Sequence, residues 1–199
     1  MATAISETLI ANQALARIGA KRLNDIDADT TVEAIQVQTQ YEQARDSLLR
    51  THVWRFALAR AVLSEDTDEP AFEWDHQYIL PTDCLRVIGL YDTTATFRVE
   101  GRMLLTNDDS ANLKYVRKVT NPIEFDSLFV DLLSLDLALR MVMPLSQDKQ
   151  LRQILTEERK VLATRAMLVN REETNTLGRE DYQTWNDARY GGGIPETTP

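Results

Sequence analysis

The sequence predicts an α+β fold, mainly α: a helical bundle with a small inserted antiparallel β-sheet and an extended C-terminal arm. Three observations carry this. Apolar residues recur at helical spacing over residues 1–64 and again over 120–174. Between them, over 70–119, the texture changes to alternation, beginning with Phe72, Trp74, His76, Tyr78 and Leu80. After Thr174 the apolar pattern fades into EDYQTWNDARYGGGIPETTP, a polar, Gly- and Pro-containing run that cannot build a core of its own. The expected organisation is one domain over 1–174, bundle plus sheet, followed by an arm over 175–199.

The elements follow in order. Residues 4–18 read as a helix, with Ile5, Leu9, Leu15 and Ile18 on its stripe and Gly19 as its stop. After the polar loop KRLNDIDADT, Thr30 with Glu33 forms a capping box for a long second helix. Its stripe is Val37, Tyr41, Ala44 and Leu48, and glutamines crowd its other sides. The acidic segment SEDTDEP ends the helical region at Pro70.

Strands are expected at Phe72–Leu80, at Leu85–Tyr91, on both sides of a Glu100-Gly101-Arg102 hairpin turn, and at Leu113–Val119. Helix resumes at Pro122, a suitable first-turn residue. Phe125, Leu128, Phe129, Leu132, Leu135 and Leu139, widened by Leu133 and Leu137, make this helix apolar nearly all round, as the centre of a bundle must be. Pro144 stops it, and Ser146 is a candidate cap for a last helix running to about Asn170.

Bulk properties restrict function. The 199 residues hold 22 basic and 31 acidic side chains, a net charge of −9, which argues against coating nucleic acid because phosphate neutralisation needs a basic face. Cys84 is the single cysteine, so it has no intramolecular disulfide partner, and with only His52 and His76 no zinc set forms around it. A reducing compartment is the simplest expectation. The first twenty residues lack the pattern of a secretory signal, and no apolar run reaches the roughly 18–20 residues needed to span a bilayer.

Catalytic motifs are sparse. There is no Gly-rich phosphate loop, nucleophile elbow or metalloprotease histidine pair. His52 and His76 lie in different elements and read as structural. Carboxylates are abundant, and Glu73 with Asp75 is an example of a pair that alternation would place on a common strand face, where a solvated edge is the commoner explanation. Glu157-Glu158 and Glu172-Glu173 read as helix-surface charge, and Cys84 as a small buried hydrophobe. Lys114, Tyr115, Arg117 and Lys118 form a basic, aromatic strand, a weak nucleic-acid signal set against the acidic total. No catalytic, cofactor or metal site is expected.

The segment RTHVWRFALARAVL, residues 50–63, combines His52 and Trp54 with Arg50, Arg55 and Arg60. On a helix its apolar residues would cover more than one side, so it reads as a packing junction clamped between bundle and sheet, with Arg50 and Arg55 reaching outward.

The stretches ANQALARIGAKRLNDIDAD, RDSLLRTHVWRFALARA, YILPTDCLRVIGLY, FRVEGRMLLTN, LKYVRKVTNP and FDSLFVDLLSLDLALRMVMPLSQ resemble the tail tubular protein A family and related head–tail adaptors of tailed bacteriophages. The resemblance covers about residues 5–170 and is one of arrangement and short motifs. It implies a helix ending in an Ile-Gly turn, a long helix ending near a tryptophan-aromatic pair, a small sheet, then two helices. It also implies a virion protein assembled in the host cytoplasm: a twelve-fold ring beneath the portal, joining it to the tail nozzle and leaving a channel for DNA. No cofactor and no membrane is implied.

Within that expectation the arm would bind the portal through Tyr182, Trp185 and Tyr190, since aromatic side chains are favoured interface anchors. The rival from another class is a virion-associated peptidoglycan hydrolase using Glu73 and Asp75. A third reading, a DNA-binding regulator, is opposed by the charge.

Overall fold

The computed structural model describes residues 5–174. The fold is α+β and mainly α, with four α-helices and two small antiparallel sheets among the described residues. The residues expected to form the arm, Tyr182, Trp185 and Tyr190 included, lie outside the described residues.

Helix α1 spans Glu7–Arg17, with the Ser6 hydroxyl accepting from the Leu9 N–H as N-cap. It stops at Gly19, whose φ of +69° is the left-handed conformation a Schellman end requires. Ala20 N–H donates to Leu15 O at 3.0 Å and Gly19 N–H to Ala16 O at 3.2 Å, the paired bonds of that motif. The following loop is held by polar side chains of the helices. Asn12 exchanges two hydrogen bonds with the Leu23 backbone, at 2.9 and 2.7 Å, and Gln38 donates to Ile26 O at 2.6 Å.

Helix α2 spans Val32–Thr51, and its cap is Thr31 rather than the expected Thr30. Two adjacent threonines are equivalent in sequence, and the one whose hydroxyl reaches a first-turn N–H is decided by where the chain turns helical. Val37, Tyr41, Ala44 and Leu48 are buried as the spacing predicts. The helix does not continue through residues 52–63. His52 is extended, Arg55–Ala57 form a 3-10 turn, and Leu58–Val62 form strand β1. This corrects the boundary of the helical half at residue 64. LARAV has no strong strand propensity, and it becomes a strand by pairing with β6, from Leu58 opposite Val116 to Val62 opposite Asn112.

The remaining strands are β2 (His76–Ile79), β3 (Cys84–Leu90), β4 (Phe97–Glu100), β5 (Met103–Thr106) and β6 (Asn112–Arg117). They form two sheets rather than the single one expected, with orders β1-β6-β3 and β2-β5-β4. Strand β2 starts four residues later than the alternation suggested, because Glu73 has φ +72° and takes the chain out of extended geometry. The expected hairpin stands: Glu100 pairs with Met103 across Gly101, whose φ is +57°.

Pro122 opens a 3-10 turn, Pro122–Glu124, and not the α-helix. Helix α3 spans Ser127–Met141, capped by Asp126. It is buried nearly all round and packs against α1, α2 and α4, which makes it the bundle centre. A π-helical turn at Val142–Ser146 carries Pro144. Helix α4 spans Lys149–Thr174, and the Asp148 carboxylate, not Ser146, accepts from the N–H groups of Gln150 and Leu151, both at 2.9 Å.

Two cores result. The larger lies among the four helices and takes in Trp54, Val116 and Val119. The smaller lies between the sheets, around Leu63, Tyr78, Cys84, Leu104, Leu113 and Tyr115.

Candidate functional site

The residues the sequence singles out fall into three places. The first is the junction after α2. The Trp54 indole N–H donates to Leu48 O at 3.1 Å, satisfying a carbonyl at the helix end, while its ring is 1% exposed. Phe129 meets it edge-on with ring centroids 5.1 Å apart, and Phe56 packs on both. Asn170 on α4 clamps the extended segment, donating to Val53 O at 2.8 Å and accepting from Arg55 N–H at 3.1 Å.

Asn170 also lies 3.0 Å from His52 Nε2, so its amide N–H fits a neutral imidazole with the proton on Nδ1. Burial lowers the His52 pKa, and the nearby Arg86 adds to the effect. His52 is thus held neutral in a packing role. Arg55, expected to reach outward, is half exposed and pairs with Glu173 at 3.1 Å.

The second place is the end of the β2-β5-β4 sheet. Glu73 and Asp75 do not share a strand face, because both precede β2. Glu73 lies 3.8 Å from Arg98, and the Asp75 N–H donates to Asn107 Oδ1. The alternation that suggested a pair fails at the positive φ of Glu73. His76, by contrast, sits between two carboxylates that the spacing did not point to. Its Nδ1 is 2.6 Å from Glu65 and its Nε2 is 3.3 Å from Asp109. The hydrogen bond to Glu65, with the negative charges of Glu65, Asp109 and Asp75, raises its pKa. The arrangement joins three segments distant in sequence, and among the described residues no cluster of ligands suits a metal ion.

The third place is the outer surface of the β1-β6-β3 sheet. An open groove of about 510 Å³ is lined by Arg60, Val62, Leu90, Tyr91, Asn112 and Lys114. Val62 and Tyr91 are 79% and 85% exposed, an apolar rim suited to a protein contact rather than to a small molecule. The basic strand is largely neutralised within the chain. Arg117 pairs with Glu124, Lys118 pairs with Asp46 at 3.2 Å, and the buried Tyr115 hydroxyl donates to Asp83 at 3.2 Å.

A scan of protein-family models and a search of curated proteins both return no match.

Charge is distributed unevenly along the chain. Residues 63–111 carry 11 of the 31 acidic side chains and only 3 of the 22 basic ones, so most of the −9 lies in the segment between β1 and β6. A running charge count would have exposed this. The Asn170 clamp had no such signal, since one asparagine in a surface helix is unremarked by any pattern. Of the remaining expected surface carboxylates, Glu157 pairs with Lys160 at 2.8 Å and Glu158 with Arg17 at 2.5 Å. Cys84 is buried, and burial raises its thiol pKa, which keeps it protonated.

Proposed function

We propose that the protein is a structural head-to-tail adaptor of a tailed bacteriophage, forming a ring that joins the portal to the tail nozzle and provides a DNA channel for ejection. The observation that carries the reading is the order of elements. A helix closing on Ile18-Gly19 is followed by a long helix ending at the Trp54-Phe56 junction, then the sheets, then two helices. That is the order the resemblance implies.

Two physical features support it. The acidic segment 63–111 offers DNA no counterion-release binding, which suits a wall past which DNA slides. The exposed Val62 and Tyr91 rim offers apolar surface of the kind that side-by-side copies bury. The carboxylate-pair hydrolase has no comparable support, since Glu73 and Asp75 are not held together on one face.

Electron microscopy of the purified protein, alone and mixed with portal rings of its own virion, tests the proposal. Closed rings stacked on the portal are the expected result. Absence of rings in both samples, with no binding to the portal, would overturn it.

A further inference from the structure

Helix α4 is 26 residues long, about 39 Å. Leu155 and Ala166 are buried on the side that packs against the bundle. Its outer side carries Ile154, Val161 and Leu168, exposed by 63%, 72% and 55%. The spacing is seven residues, twice over. An α-helix turns about 700° in seven residues, so such a row drifts only about 20° per step and forms a nearly straight apolar seam. Scattered exposed apolar residues need no explanation, whereas a row of one apolar residue per heptad along one face of a long helix is a line of apolar surface against which another helix can lie.

The flanking charges select the partner and its direction. Relative to Val161, Glu158 and Arg165 lie about 60° and 40° to one side, and Glu157 and Thr164 lie about 40° and 60° to the other. If a second α4 packs antiparallel on a two-fold axis at Val161, Ile154 faces the second copy's Leu168, and Val161 faces itself. Arg165 then meets the second copy's Glu158 on one flank, twice by symmetry, and Glu157 meets the neutral Thr164 on the other. A parallel pair instead sets Glu157 against the second copy's Glu158 on both flanks, a like-charge contact. Arg165 is exposed, and Glu158, already beside Arg17, keeps 45% of its side chain exposed. Both are therefore open to an approaching copy.

We propose that the free protein self-associates through α4, as an antiparallel two-fold pair centred on Val161. The 15-residue seam, about 22 Å long, is short for a stable interface, so the pair forms with a dissociation constant on the order of micromolar or weaker. A two-fold contact does not close into a ring of many copies. The pair is thus a state of the free protein, and it stands or falls separately from the adaptor reading.

Sedimentation of the full chain across a concentration series, combined with single cysteines on the seam, tests this. Native Cys84 is buried and does not interfere. A concentration-dependent dimer is expected, weakened at least tenfold by Val161→Glu. Under mild oxidation Val161→Cys should cross-link to itself. Ile154→Cys should cross-link to Leu168→Cys when the two are mixed, and neither should do so alone. Self-cross-linking of all three variants would indicate a parallel pair and overturn the proposal. So would a monomer at every concentration, or larger assemblies insensitive to Val161→Glu. Loss of rings in Val161→Glu without self-cross-linking of Val161→Cys would assign the stripe to a head-to-tail neighbour instead. Ring formation on the portal, scored by microscopy, reports on the adaptor reading and not on this one.

Discussion

Trp54 and Phe129 meet edge-on, ring centroids 5.1 Å apart and ring planes at 83°, at the point where α2 gives way to the first strand. The contact joins the helical core to the segment leading into the β module. Trp54→Ala should therefore destabilise the protein by about 3–5 kcal/mol, the range for removing a large buried aromatic. Trp54→Phe keeps most of the packing and loses the bond to Leu48 O, costing on the order of 1–3 kcal/mol for the carbonyl left unpaired. Urea unfolding of the two variants checks the order. A Phe variant as unstable as the Ala variant would show that the hydrogen bond, and not the ring, dominates.

Arg45 is 1% exposed on α2, with Asp46 at 2.9 Å, Glu42 at 3.5 Å and Glu7 at 3.9 Å around its guanidinium. Burial raises the Glu7 pKa, and the nearby Arg45 guanidinium opposes that rise. Arg45→Ala should cost about 3–5 kcal/mol, because it removes a buried stem and leaves Glu7 without its cation. Arg45→Met restores the stem and should recover at least half of that loss. Equal costs for the two variants would assign the whole effect to charge.

The His76 clamp makes a pH-dependent contribution. Its folded pKa is raised above the ordinary 6.5. The contribution is therefore fully present below about pH 6.5 and is lost as pH rises through the folded pKa. Thermal unfolding between about pH 6 and 9 should show the protein losing stability relative to His76→Gln as pH increases. A constant difference between the two proteins would show that Glu65 and Asp109 do not favour the charged imidazole.

The sequence leads us to propose residues 175–199 as the portal contact, with Tyr182, Trp185 and Tyr190 as anchors. Among the described residues, 5–174, both cores are already built from many mutually packed apolar side chains. Deleting 175–199 should leave the unfolding transition in place and abolish attachment to portal rings. Attachment of the truncated protein in a pull-down would move the portal contact elsewhere on the chain.

What the sequence determined by itself is what local chemistry controls. Gly19 ends α1, and Gly101 turns the β4–β5 hairpin, because only glycine takes positive φ there without steric cost. The apolar run through α3 marks the bundle centre because no solvent-facing helix can carry it. Caps were legible to within two residues: Thr31 replaces Thr30 and Asp148 replaces Ser146, since neighbouring polar residues compete for the same first-turn donors.

Tertiary structure decided the rest. LARAV is a strand because β6, fifty residues on, offers it a ladder that its own propensity would not supply. Glu73 and Asp75 lost their common face to one left-handed residue, while His76 gained Glu65 and Asp109 from segments that alternation does not connect. Long-range pairing and side-chain convergence depend on where the chain returns to itself, and periodicity along the chain carries no record of that.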